Sequence, residues 1–146
     1  MVIYLFIHLG SILSVDREIL QEYSTRLREV GINLLRGISK SLGLEESYIE
    51  KAMDLESGYD FFTANDYLPR VSAPNIFGQF PHTDPGLLIL LMQNISGGLQ
   101  LEHKGKWVNA NLNPNCIIVN LADHLEVHSN FLTFLIAFEI PFSLTL

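Results

Sequence analysis

Residues 16–41 place an apolar side chain every three or four positions: Leu20, Tyr23, Leu27, Val30, Leu34 and Ile38 fall on one stripe. That period predicts an amphipathic helix. Ser14 stands where an N-cap is wanted, Asp16 and Glu18 favour the first turn, and Gly43 supplies the stop. A shorter helix is predicted over 45–53, after which Ser57-Gly58 turns the chain. From Asp60 onward the pattern changes to short strands. Residues 61–67 are β-prone and 69–75 read as a loop. Residues 87–92 form a continuous apolar run, the mark of a strand buried on both faces. Residues 99–102 and 107–110 predict a hairpin across Lys104-Gly105, with Trp107 as core packing. A further apolar strand is predicted over 116–121 and a weaker one over 125–128. The expected fold is mostly β with N-terminal helices (α+β), a sandwich or jelly roll with its helices packed outside.

The two ends differ from the rest. Residues 1–13 are apolar without a preceding Lys or Arg, which argues against a signal peptide. Residues 131–146 are equally apolar but carry Glu139 and Pro141, and the run is short for a bilayer span. Both read as core strands or helices, or as sequence foreign to the domain. The expected division is an atypical N-terminus (1–15), a helical segment (16–59), a β core (60–130) and an apolar tail (131–146).

Composition narrows the function classes. A length of 146 residues allows one domain with a real core, and the net charge of −7 argues against a nucleic-acid surface. Cys116 is the only cysteine, so no intrachain disulfide forms, and a reducing, cytoplasmic compartment is expected. No membrane partner is expected, and the oligomeric state is open.

The candidate chemistry lies in Pro81-His82-Thr83-Asp84-Pro85-Gly86. Residues i and i+2 of a strand share a face, so His82 and Asp84 would present an imidazole nitrogen and a carboxylate oxygen to one metal ion. That is two thirds of the 2-His-1-carboxylate triad that suits Fe(II). On its own, the pattern also fits a loop histidine hydrogen-bonded to the neighbouring carboxylate.

The surroundings extend the pattern: Asn65-Asp66-Tyr67-Leu68-Pro69, Pro81 to Leu88, Gly97-Gly98-Leu99-Gln100, Gly105-Lys106-Trp107-Val108, Asn120-Leu121-Ala122-Asp123 and Leu125-Glu126-Val127-His128-Ser129-Asn130. In this order they resemble the C-terminal catalytic core of plant 2-oxoglutarate- and Fe(II)-dependent dioxygenases, over roughly residues 16–130. The resemblance implies a double-stranded β-helix, a jelly roll holding Fe(II). It further implies 2-oxoglutarate as co-substrate, O2, ascorbate as reductant, and a small organic substrate that is hydroxylated or desaturated. It assigns His82 and Asp84 to the iron, and Tyr67 with Asn65 to 2-oxoglutarate through an N-x-Y motif.

Two departures accompany it. Continued without gaps, the family's spacing places the second iron-binding histidine at Phe138, and the Arg-x-Ser pair for 2-oxoglutarate would lie beyond Leu146. His103, His124 and His128 are the candidates for a replacement ligand, and His8 lies outside the resemblance. The expectation is a partial jelly roll missing its last strands, a truncated or misjoined chain, with a catalytically inactive remnant as the alternative to an enzyme.

Overall fold

The computed structural model describes residues 2–6, 17–65, 78–93, 97–110, 113, 116–129 and 138–141. Helix α1 (Arg17–Ser41) realises the predicted stripe, rotated by about one residue. Its buried line is Leu27, Gly31, Leu35 and Ser39, spaced four apart, while Tyr23, Val30, Leu34 and Ile38 flank it against the same core. Two small residues in that line let the helix lie close to its neighbours. Gly43 ends α1 at φ +75°, with its N–H donating to the Lys40 carbonyl and the Leu44 N–H to that of Ser39, both at 3.0 Å. This is a Schellman closure, and its left-handed residue is glycine because a Cβ there is strained.

Helix α2 (Tyr48–Ala52) is shorter than the predicted span. Ser47 precedes it but caps nothing, since its hydroxyl donates to Glu45 instead. The Ile49 N–H donates to the fully buried Ser39 Oγ of α1 at 3.4 Å. An orphan donor at the start of one helix is thus met by a hydroxyl from another. Arg36 clamps the pair from outside, its Nε and Nη2 donating to the two Glu50 carboxylate oxygens at 2.9 and 3.2 Å.

The strands are β1 (Val2–Phe6), β2 (Phe61–Asn65), β3 (Leu88–Gln93), β4 (Gln100–His103), β5 (Lys106–Asn109), β6 (Cys116–Leu121) and β7 (Phe138–Pro141). Five of them form one mixed sheet in the order β2-β1-β3-β6-β7. β1 runs parallel to both β2 and β3, whereas β3–β6 and β6–β7 are antiparallel. Both apolar ends of the chain therefore contribute a strand to this sheet. Among the described residues, the helices cover one face of it.

β3 and β6 are its core. Leu88, Leu90, Ile117, Val119 and Leu121 face α1 and α2, while Ile89, Leu91 and Ile118 pack on the opposite face with Ala122, Leu99 and Ala110. Each of the buried Leu, Ile and Val side chains of β3 and β6 contributes about 1.5–3 kcal/mol of burial. β4 and β5 make a separate hairpin, turned by Lys104 at φ +51° and Gly105 at φ +73°, as a two-residue type I′ turn requires. The hairpin base meets the sheet where Gln93 Nε2 donates to the Ala110 carbonyl at 3.0 Å.

Two predictions are corrected. Trp107 is half-exposed on the hairpin, not packed in the core. Residues 125–128 are not a strand but part of helix α3 (Asp123–His128). Leu125 is 1% exposed and Val127 58%, so two residues that would share a strand face lie on opposite sides of a helix.

No helix among the described residues is long and apolar enough to cross a membrane.

Candidate metal centre

The loop 81–87 is shaped by what it can and cannot hydrogen-bond. Pro81 and Pro85 have no N–H to offer a sheet ladder, and β3 begins only at Leu88. Three of the loop carbonyls accept instead from the junction between β6 and α3. Ala122 N–H donates to Leu87 O at 3.1 Å, Asp123 N–H to Asp84 O at 3.0 Å and His124 N–H to Gly86 O at 3.0 Å. The first N–H groups of α3 are orphans of the helix, and the loop supplies their acceptors. A side-chain bond completes the clamp: Thr83 Oγ1 donates to Asp123 Oδ2 at 3.0 Å.

On this loop His82 and Asp84 do meet, but not for the strand reason. The segment is irregular, and the clamp rather than a pleat brings the two side chains to one side. His82 Nε2 stands 3.3 Å from Asp84 Oδ1, the imidazole partly exposed and the carboxylate mostly covered. His82 Nδ1 lies 2.8 Å from the Phe80 carbonyl oxygen. A carbonyl only accepts, so Nδ1 carries a proton and Nε2 is the ring nitrogen that faces Asp84. The Gln79 amide nitrogen lies 3.4 Å from the same Nε2.

With Nε2 unprotonated, this nitrogen and the Asp84 oxygen together form the donor set a cation wants. With metal–ligand bonds of about 2.1 Å, neighbouring corners of an octahedron are about 3 Å apart, close to what the pair already spans. A backbone carbonyl fixing the other ring nitrogen is also the usual support of a metal-binding histidine. His82 and Asp84 would supply two of the three protein ligands of a facial Fe(II) site.

The remaining candidates do not gather around this pair. Asn65 ends β2 half-buried, in register with Phe6, which is itself in register with Gln93. It therefore sits level with the far end of β3 from the dyad, about 17 Å along the strand direction. Tyr67 lies outside the described residues, as does His8. Phe138, at the position projected for a second histidine, opens β7 opposite Val119. His103 closes β4, and His124 and His128 lie on α3. Among the described residues no three His, Cys, Asp or Glu side chains are grouped to hold a metal.

Sequence reasoning missed the Thr83–Asp123 contact. Thr83 is the middle of H-x-D and Asp123 ends the Asn120-to-Asp123 motif, but a bond between residues so far apart in the chain leaves no periodic signal.

Comparison with known proteins gives a consistent picture. A family model described as the 2OG-Fe(II) oxygenase superfamily matches residues 59–135. The chain is 37% identical over 116 residues to flavanone 3-dioxygenase 2 of Oryza sativa subsp. japonica, covering 78% of this chain and 33% of that protein. It is 40% identical over 116 residues to 2-oxoglutarate-dependent dioxygenase 19 of the same organism, covering 78% and 34%. Deacetoxyvindoline 4-hydroxylase of Catharanthus roseus is 34% identical over 117 residues, covering 80% and 28%. The chain thus spans about a third of the length of these curated relatives. No solved structure matches it.

Proposed function

The chain belongs to the 2OG-Fe(II) oxygenase superfamily, and from that premise we propose that it carries the metal-binding part of a 2-oxoglutarate-dependent dioxygenase acting on a small organic metabolite. The observation that carries this reading is the His82–Asp84 pair, 3.3 Å apart with the imidazole tautomer fixed by Phe80. His82 Nε2 and Asp84 Oδ1 are the ligands. Fe(II) held there supplies the redox chemistry that couples decarboxylation of 2-oxoglutarate to oxidation of the substrate by O2, with ascorbate as the reductant that keeps the metal ferrous. Phe80 holds the histidine ring in its ligating form, and the α3 junction holds the loop. Tyr67 and Asn65 are assigned to 2-oxoglutarate by their match to the N-x-Y pattern. The complete fold of this reading is the jelly roll of the family.

A second reading is favoured by one observation: no third ligand joins the dyad among the described residues, and a phenylalanine stands where the family spacing asks for histidine. In that reading this chain by itself binds metal weakly through two ligands and does not turn over. Incubation with Fe(II), ascorbate and 2-oxoglutarate separates the two. Succinate that disappears in His82→Ala supports the enzyme. Metal binding lost in His82→Ala, with no succinate from the parent chain, supports the non-catalytic metal site. Metal binding indifferent to both His82→Ala and Asp84→Ala overturns both readings of the dyad.

A further inference from the structure

The residue between the two ligands is tied to a partner far along the chain. Thr83 Oγ1 donates to Asp123 Oδ2 at 3.0 Å, while the backbone N–H of the same Asp123 donates to the Asp84 carbonyl at 3.0 Å. Asp123 therefore grips the loop twice, once through the side chain of residue 83 and once through the main chain of residue 84. The two grips have different consequences. The N–H bond fixes where the Asp84 peptide lies, and any residue except proline at position 123 can make it. The carboxylate bond fixes the side chain of Thr83, the residue between the two ligands. With the Thr83 side chain and the Asp84 carbonyl both tied to Asp123, the stretch of loop that joins the two ligands is held at two adjacent residues. His82 has its own restraint in the Phe80 carbonyl, but among the described contacts nothing else restrains residue 83.

We infer that Asp123 is a positioning residue of the metal centre: its carboxylate, acting through the Thr83 hydroxyl, holds His82 and Asp84 on one side of the loop at ligating separation. The inference rests on the dyad being the metal site and goes beyond it, because neither Thr83 nor Asp123 ligates. Support of this indirect kind is typically worth about ten- to a hundredfold in metal affinity. The requirement on residue 123 is a hydrogen-bond acceptor, not a charge, since a hydroxyl donor is satisfied by an amide oxygen as well as by a carboxylate.

Co(II) titration of the 146-residue chain, followed by its absorption spectrum, tests this without turnover. Thr83→Val and Asp123→Ala are each expected to weaken Co(II) binding at least about tenfold. The double variant is expected to be no weaker than the worse single, because the two changes remove one bond. Asp123→Asn and Thr83→Ser keep acceptor and donor and are expected to restore most of the affinity. Thermal melting of each metal-free variant identifies any that fail to fold, and the conservative pair keeps the test alive if the truncations do. Additive losses in the double variant overturn the inference, as does a folded Asp123→Ala that binds Co(II) like the parent. His82→Ala and Asp84→Ala are the controls for the underlying reading. If neither affects Co(II) binding, the dyad is not the site and the inference falls with it. If they abolish binding while Asp123→Ala does not, the inference alone fails.

Discussion

Two buried polar side chains stand out because they cost stability without visible return. The Tyr23 hydroxyl is covered and finds no partner among the described residues, though its ring packs edge-to-face on Phe62 at 6.2 Å. Burial pushes its phenol well above the ordinary value near 10. A raised value means that the folded state holds the proton more tightly. The corresponding stability is complete below about pH 10 and is lost as pH rises toward the folded value. Tyr23→Phe is expected to hold or raise the urea midpoint at about pH 8 and to flatten its fall above about pH 10. Asn120, 5% exposed on β6, likewise has an amide oxygen with no partner among the described residues. It shares the β6 face of Ile118, in register with Ile89. Leaving such an oxygen unmet costs about 1–3 kcal/mol. Asn120→Leu, of similar size, is therefore expected to raise the melting temperature of the metal-free chain. A lowered one would show that the amide meets a donor in solution.

At the scale of elements, glycine shows how one substitution reverses sign with position. Gly37 is exposed in the interior of α1 and a Cβ there would meet nothing within 4 Å. Gly37→Ala is expected to stabilise by about 0.5–1 kcal/mol. At Gly43 there is also open space, but φ is +75°. Gly43→Ala is expected to destabilise by about 1–2 kcal/mol, the cost of a left-handed alanine. Urea titrations of both variants check the pair.

The same scale shows what could be read in advance. Helix α1 was legible because its stripe is long, and the hairpin because Lys104-Gly105 sits between two alternating runs. β3 and β6 were legible as apolar runs bounded by turn residues. Helix α3 was not, since Leu125-Glu126-Val127-His128 alternates like a strand. Its conformation is set by the acceptors that Asp84, Gly86 and Leu87 offer to residues 122–124, a tertiary contact. The parallel pairing of β1 between β2 and β3 was illegible for the same reason, as an apolar run carries no record of its neighbours. At the candidate metal site the sequence singled out His82 and Asp84, and their side chains do lie together, 3.3 Å apart. It attributed their meeting to a pleat, whereas the loop clamp produces it.

On the scale of the whole molecule, the loop that carries the proposed ligands is bonded to the distant β6–α3 junction. A cation that binds only the folded state stabilises it by mass action, by about 2.7 kcal/mol at a hundredfold excess over Kd. Saturating Co(II) is therefore expected to raise the melting temperature of the parent chain and to leave that of His82→Ala and Asp84→Ala unmoved. Because His82 and Asp84 sit on a loop in which three carbonyls, those of Asp84, Gly86 and Leu87, accept from the N–H groups of residues 122–124, the gain is expected to spread to β6 and α3 as well as to the loop.

The junction that clamps the loop also sets an order of events in time. Asp84 and Asp123 are joined by a backbone hydrogen bond across a long stretch of sequence that includes the whole β4–β5 hairpin. That loop must close before the bond forms, so the clamped form of the dyad is expected to appear with or after the pairing of β3 with β6. A metal that needs the assembled dyad cannot speed that search. In stopped-flow experiments, Co(II) is expected to slow unfolding while leaving the refolding rate nearly unchanged, the behaviour of a contact absent from the transition state. The clamp thus makes the metal a latch on a finished structure rather than a seed for it.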